Sequence, residues 1–131
     1  MKSIVVLICL PLALSLSSCL DDTCHNSIIR EVPSLDSQPK AVIFNRDCGA
    51  TTGFSTQVSI LSAQAALPND GGNIFVADTN HGAAPSGQGG GPDVLISWLS
   101  ATRLKIVYDH RDRTFNKQTQ HQGISIIYQT R

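Results

Sequence analysis

Apolar and polar residues alternate with a period of two along most of the chain after residue 26, which is the pattern of β-strands. Seven segments show this pattern, at 28–32, 40–45, 53–61, 73–77, 93–99, 103–109 and 123–130. No stretch of ten or more residues in that region has the spacing of an amphipathic helix. The pattern predicts an all-β fold, a small antiparallel meander of about six to seven strands arranged as a curled sheet, a sandwich or a half-barrel.

Two of these segments differ in how their faces are built. Segment 40–45 is apolar on both faces, which indicates a central strand. Segment 53–61 places Thr56, Val58 and Ile60 on one side and polar residues on the other, which predicts a half-exposed antiparallel strand.

The connections are also visible in the composition. Turn-forming residues separate strands at 33–39 and 67–72. Segment 79–92 contains five glycines and two prolines and is expected to form a long flexible loop that cannot pack a core. Segment 110–120 is charged and polar, and it is predicted to be a connection between strands.

The first eighteen residues follow a different pattern. Lys2 precedes an apolar run at 4–16, and small residues precede Cys19, which is the order of elements in a secretory signal peptide. The run is shorter than the about 20 apolar residues that a membrane-spanning helix needs, and Pro11 interrupts it. The start of the chain is therefore predicted to be a signal peptide.

The sequence Leu16-Ser17-Ser18-Cys19 resembles the lipobox of bacterial lipoproteins. The resemblance implies that Cys19 is lipidated and becomes the first residue of the mature protein, which is then held at a membrane of the cell envelope. In some bacterial lipoproteins an Asp directly after the lipidated cysteine marks retention in the inner membrane. Because Leu20 stands at this position, the resemblance favours the periplasmic face of the outer membrane over the inner membrane or the cell surface. A secreted protein that is cut nearby without lipidation is the alternative. The predicted organisation is a signal peptide at 1–18, a short lipidated tether at 19–26 and a single β domain at 27–131.

The cysteines divide according to this processing. Cys9 leaves with the signal peptide and Cys19 carries lipid, so Cys24 and Cys48 remain as a pair in an oxidising compartment. A disulfide between Cys24 and Cys48 is the structural interpretation. The competing interpretation makes Cys48 a free nucleophile with a histidine as its base, the candidates being His25, His81, His110 and His121.

The segment 40–60 contains Cys48-Gly49-Ala50-Thr51-Thr52 followed by Phe54-Ser55-Thr56-Gln57-Val58. It resembles a family of small uncharacterised bacterial proteins with the same motif, and the likeness extends over most of the mature domain. The resemblance implies no particular chemistry. The residue types alone suggest that Thr51 and Thr52 bond the local backbone in a turn, or that their hydroxyls face a ligand.

Charge and motifs exclude several classes of function. The chain has 10 basic and 10 acidic side chains; loss of Lys2 leaves 9 against 10, a net charge near −1 without a basic patch, so nucleic acid is not an expected partner. The four histidines lack the spacing of a zinc site, and no metal, cofactor or catalytic set is expected. The sequence favours a non-enzymatic module that binds a protein or another envelope component, with an inhibitor or immunity protein as a specific version. A thiol-dependent enzyme or redox protein that uses Cys48 and a purely structural lipoprotein are the alternatives.

Overall fold

The computed structural model describes residues 23–49 and 53–131, and in this part of the chain it confirms the all-β prediction. The described residues form nine strands: β1 His25–Pro33, β2 Pro39–Asp47, β3 Ser55–Ser62, β4 Phe75–Asp78, β5 Leu95–Ser100, β6 Arg103–Tyr108, β7 Arg113–Lys117, β8 Gln120–His121 and β9 Ile124–Thr130. A short 3₁₀ turn at Gln88–Gly90 accompanies them. Within the two described ranges, no helix has the length and apolar character needed to cross a membrane.

The strands form two sheets, ordered β1-β2-β3-β4-β7 and β5-β6-β9-β8. The first four strands are successive antiparallel neighbours, as in the predicted meander. The meander stops there, because β5 and β6 belong to the second sheet and β7 returns to the first. The last strand, β9, then pairs with β6 in parallel, so the purely antiparallel prediction is corrected.

Two strands lie where the sequence predicts a polar connection at 110–120. These are β7 and β8, and they raise the strand number above the predicted six to seven. β7 lies at an edge of its sheet and its side chains are mostly exposed, including Phe115. An edge strand with two solvated faces has no apolar alternation, which explains why the pattern does not reveal it.

The first strand in the described part of the chain, β1, begins at His25, two residues before the predicted start of the β domain. The predicted signal peptide and the predicted lipidation site at Cys19 lie outside the described residues. Cys24 and Cys48 are joined by a disulfide with a Cα–Cα distance of 3.8 Å, which confirms the predicted pairing.

Both sheets contribute to a single hydrophobic core. Phe75 is fully buried at its centre, with its ring centroid 5.3 Å from that of Tyr108 and 5.9 Å from that of Tyr128. Burial of each large apolar side chain contributes about 1.5–3 kcal/mol, so this core stabilises the packing of the two sheets. The other buried members of the core are Ala41, Ile43, Val58, Ile60, Ile74, Ala77, Val94, Ile96, Leu104, Ile106, Ile124 and Ile126.

The outer face of β3 is buried, which corrects the prediction of a half-exposed strand. The segment that follows β3 folds back over it. The amide of Gly72 donates to Gln57 Oε1 at 2.6 Å, and the amide of Asn73 donates to Ser59 Oγ at 3.0 Å. The Asn73 side chain also bonds the amide and carbonyl of Ile60, at 2.8 and 2.9 Å. These bonds satisfy polar groups on a buried face, which is how Gln57 and Ser59 can be buried at all.

Segment 79–92 contributes to the buried interior, contrary to the sequence prediction. Ala84, Gly91 and Pro92 are buried. Thr56 Oγ1 donates to the carbonyl of Pro92 at 2.6 Å, in a buried hydrogen bond that fixes the end of the segment on β3. A Cβ on Gly91 would lie 2.6 Å from Thr56 Oγ1, so glycine is needed here for close approach of two backbones.

Candidate functional site

The strand register places four polar residues in a row on the outer face of the first sheet. Arg46 on β2 lies opposite Ser55 on β3, Ser55 opposite Asp78 on β4, and Asp78 opposite Arg113 on β7. The row lies at the end of the sheet that also holds the disulfide. It forms the base of an open cleft of about 480 Å³ lined by Arg46, Cys48, Gly53, Ser55, Val76, Asp78, His81, Arg113 and Phe115, here called the Arg46–Arg113 cleft.

Asp78 and Arg113 form a two-pronged ion pair in this cleft. Arg113 Nε donates to Asp78 Oδ1 at 3.2 Å and Nη2 donates to Oδ2 at 2.6 Å. Partial burial acts to raise the pKa of Asp78, but the hydrogen bonds from Arg113 and the Asn80 amide outweigh it and hold this pKa below its usual range. The Arg113 guanidinium also lies over the Phe115 ring, 4.9 Å from its centroid. The side chains of Asp78 and Arg113 are therefore held in place.

Arg46 is held by neutral groups instead. Its Nη1 donates to Asn26 Oδ1 at 2.8 Å and to Asn69 Oδ1 at 3.1 Å. Throughout residues 23–49 and 53–131, no carboxylate lies within ion-pair distance of its guanidinium. Since the charges of Asp78 and Arg113 offset each other, Arg46 is the uncompensated positive charge among the described arginines and carboxylates of the cleft.

A left-handed turn brings His81 to the cleft. Asn80, His81 and Gly82 follow one another at φ values of 52°, 56° and 83°. The first two are not glycine, and this conformation costs about 1 kcal/mol for each of them. The turn is held by the Asn80 amide, which donates to Asp78 Oδ1 at 2.9 Å, and by the Gly82 amide, which donates to Thr79 Oγ1 at 3.2 Å. As a result His81 Nε2 lies 3.5 Å from Arg113 Nη1.

Two exposed phenylalanines flank the same region. Phe115 is 61% exposed and Phe54 is 47% exposed, although both are large apolar side chains. Phe54 lines a smaller adjoining pocket that shares Gly53, Asp78, His81 and Arg113 with the cleft. A Cβ on Gly90 would lie 2.7 Å from Phe54 Cδ2, so the glycine-rich segment packs against this ring and positions it.

The residues singled out from the sequence are distributed unevenly around this cleft. Cys48 lines it, with its sulfur bonded to Cys24, and Gly53 lines it as well. Thr51 and Thr52, the predicted ligand-facing pair, lie outside the described residues. Of the four candidate histidines, His81 alone lines the cleft. His25 begins β1, His110 lies between β6 and β7, and His121 is on β8.

In residues 23–49 and 53–131, no group of three or more His, Cys, Asp or Glu side chains is placed to hold a metal ion.

The sequence prediction missed Arg46, Asp78 and Arg113 as a set. Asp78 is visible in the sequence as a turn residue before Asn80, but nothing in the pattern connects it with an arginine 35 positions later.

A second group of charges lies between β6 and β7 at the same end of the fold. Arg111 donates to both carboxylate oxygens of Asp109, at 2.9 and 2.7 Å, and these hydrogen bonds hold the pKa of Asp109 well below its usual range. Asp112 is in the opposite situation. Its Oδ2 accepts from the Asp109 amide at 3.2 Å, whereas its buried Oδ1 has no hydrogen-bond partner in the described structure. Burial raises the pKa of Asp112 to about 6, and the negative charge of Asp109 acts in the same direction.

We expect Asp112→Asn to stabilise the protein at pH 7–8 by about 1 kcal/mol, a value reduced for solvent screening. Between pH 4 and 6 the folded state binds a proton at Asp112 that the unfolded state does not, so the stability of the wild type falls as pH rises through this window. Asparagine removes that loss and keeps the acceptor for the Asp109 amide. Urea unfolding from pH 4 to pH 8 measures the difference. Asp70→Asn, at an exposed carboxylate, is the control, and an equal gain in both variants would contradict the burial argument.

Comparison with known proteins finds no match: no family model, no curated protein and no solved structure is significantly similar to the chain.

Proposed function

We propose that this chain is a lipid-anchored protein of the bacterial cell envelope that binds another envelope component through the Arg46–Arg113 cleft. The proposed anchor is a lipid on Cys19, and the proposed location is the periplasmic face of the outer membrane. The Cys24–Cys48 disulfide supports an oxidising compartment, where such bonds persist. An inhibitor or immunity protein that acts on an envelope hydrolase is the specific version of this proposal.

The observation that carries the proposal is the composition of the cleft and its rim. Arg46 and the exposed ring of Phe115 line the same cleft, and the exposed ring of Phe54 lines the adjoining pocket. Arginine and aromatic residues are enriched at the centres of protein interfaces, where their truncation costs the most binding energy. These side chains are also preorganised, Arg46 by its hydrogen bonds to Asn26 and Asn69 and Phe54 by its contact with Gly90. Preorganised side chains lose less conformational entropy on binding.

The groups that line the cleft favour binding over chemical transformation. Both oxygens of Asp78 accept hydrogen bonds from Arg113, and the pKa of Asp78 is lowered, so this carboxylate is a poor general base. The Cys48 sulfur is bonded to Cys24 and is not a thiolate. These two constraints support the proposal of a non-enzymatic role.

Site-specific photo-cross-linking in intact cells tests the proposal. A photoreactive phenylalanine at position 115 is expected to cross-link a discrete partner, because this exposed position borders the cleft. The same residue at position 35 is the matched control, since Leu35 is 68% exposed and lies between β1 and β2 at the opposite end of the fold. Equal cross-linking from both positions, or none from position 115, would contradict the proposal. Palmitate labelling with a Cys19→Ser control tests the anchor.

A redox or thiol role for Cys48 has one observation in its favour, which is that Cys48 lines the cleft. Titration with a thiol reagent separates this role from the binding proposal. We expect no reactive thiol in the mature native protein, and two after reduction under denaturing conditions, because both sulfurs are in the disulfide. A reactive thiol in the native protein would favour the nucleophile instead.

A further inference from the structure

Building on the proposed function, we propose that the Arg46–Arg113 cleft binds a carboxylate side chain of a partner polypeptide, together with an apolar side chain next to it. The charge of the cleft, its apolar surface and the charges around it each support this ligand class.

The unpaired positive charge of Arg46 favours a ligand that carries one negative charge. Among the charged lining groups of the cleft, Asp78 offsets Arg113 and leaves Arg46 uncompensated. Within residues 23–49 and 53–131, both hydrogen bonds of the Arg46 guanidinium use Nη1, so Nη2 and Nε are the donors that can face a ligand. Two parallel donors of a guanidinium match the two oxygens of a carboxylate, and charge-assisted pairs of this kind are among the stronger hydrogen bonds in proteins.

The remaining surface is suited to an apolar neighbour. Val76, two residues before Asp78 on β4, lines the cleft beside the row, and Phe115 forms an exposed aromatic wall beside Arg113. A volume of about 480 Å³ is in the range of sites that hold small ligands, which suffices for two adjacent side chains. A ligand with a carboxylate and no apolar part would leave Phe115 uncovered.

The surrounding charges favour a protein over an anionic bilayer. Outside the cleft, Arg111 pairs with Asp109 at 2.7 Å and Arg131 pairs with Asp93 at 2.8 Å, so these two arginines add no excess of positive charge. A surface that binds anionic lipid headgroups carries an excess of basic residues. Here these two arginines outside the cleft are paired with aspartates, and Arg46 inside it can select one carboxylate.

Binding of two matched peptides to the mature lipidated protein in phosphatidylcholine nanodiscs tests the inference. Acetyl-Asp-Phe-amide is expected to bind at millimolar concentration, and acetyl-Asn-Phe-amide about tenfold more weakly, because the two differ by the charge alone. Arg46→Gln is expected to weaken the Asp peptide about tenfold, whereas Arg103→Gln, at an exposed cation on β6, leaves it unchanged. Isothermal titration calorimetry measures both peptides against all variants.

A second variant keeps the test decisive if Arg46→Gln disturbs the bonds to Asn26 and Asn69. Phe115→Ala changes a side chain that is 61% exposed, so its expected effect on folding is small. The variant is expected to weaken binding of the Asp peptide severalfold, whereas Leu35→Ala is not. Equal binding of the two peptides, no binding of the Asp peptide, or tighter binding of anionic phosphatidylglycerol vesicles would each overturn the inference. If position 115 still cross-links a partner in that case, the proposed binding function stands and the carboxylate does not.

Discussion

Replacing both Cys24 and Cys48 by alanine is expected to lower the free energy of unfolding by about 3–4 kcal/mol. The disulfide closes a loop across a sequence separation of 24 residues, and in the chain-entropy model a loop of about that length gives this stabilisation by restricting the unfolded state. For a domain of this size, the loss corresponds to a fall in melting temperature of roughly 10–20 °C. Because Cys48 borders the Arg46–Arg113 cleft, we also expect weaker cross-linking from position 115.

Differential scanning calorimetry of the variant, beside wild type with and without reductant, measures the effect. Reduced wild type and the double alanine variant are expected to melt together, since both lack the same bond. A variant that melts with the oxidised wild type would show that the disulfide contributes nothing to stability. A variant that melts well below the reduced wild type would show that packing of the half-buried cysteines matters more than loop closure.

The second large effect is expected at Gly91. An alanine Cβ there would lie 2.6 Å from Thr56 Oγ1 and 2.8 Å from both the Ser55 carbonyl carbon and the Thr56 amide nitrogen. Two of these three atoms are backbone atoms of β3, so the strand or the glycine-rich segment has to move. Gly91→Ala is therefore expected to cost about 2–3 kcal/mol, in the range of overpacked cores. The shift would also break the buried bond from Thr56 to the Pro92 carbonyl.

Gly53→Ala is the matched control for this prediction. Nothing lies within 4 Å of its added Cβ and its φ is not positive, so the change is expected to stay within about 0.5 kcal/mol of wild type. Urea unfolding compares the two variants. Equal stability of the two would mean that the close approach of segment 79–92 to β3 relaxes without cost.

The sequence predicts the buried strands well, because a strand that is buried on one or both faces shows a recognisable pattern of apolar residues. Every residue of 41–45 in β2 is buried, and this segment is apolar on both faces. β7 carries no such signal because it is an edge strand with solvated faces. The burial of Gln57 and Ser59 on β3 depends on Gly72 and Asn73, which reach them through hydrogen bonds that no local pattern encodes.

The candidate site is harder to predict for a related reason. The disulfide follows from compartment and cysteine number, both of which are properties of the sequence. Arg46, Asp78 and Arg113 come from three strands, and only the pairing register brings them into one row. The glycines of 79–92 suggest flexibility by composition, whereas Gly90 and Gly91 serve close packing in the fold. Composition cannot distinguish these two uses of glycine.

The position of the disulfide also determines how the fold responds to a pulling force. β1 is an edge strand paired only with β2 in its sheet, and tension on its N-terminal end would open that ladder one hydrogen bond at a time. Cys24 directly precedes β1, and its bond to Cys48 lies at the end of the ladder that would open first. Tension on the chain before Cys24 passes through the sulfurs to the end of β2, a strand with neighbours on both sides. The disulfide therefore protects the hydrogen bonds between β1 and β2 when a force pulls on the N-terminal end of the domain.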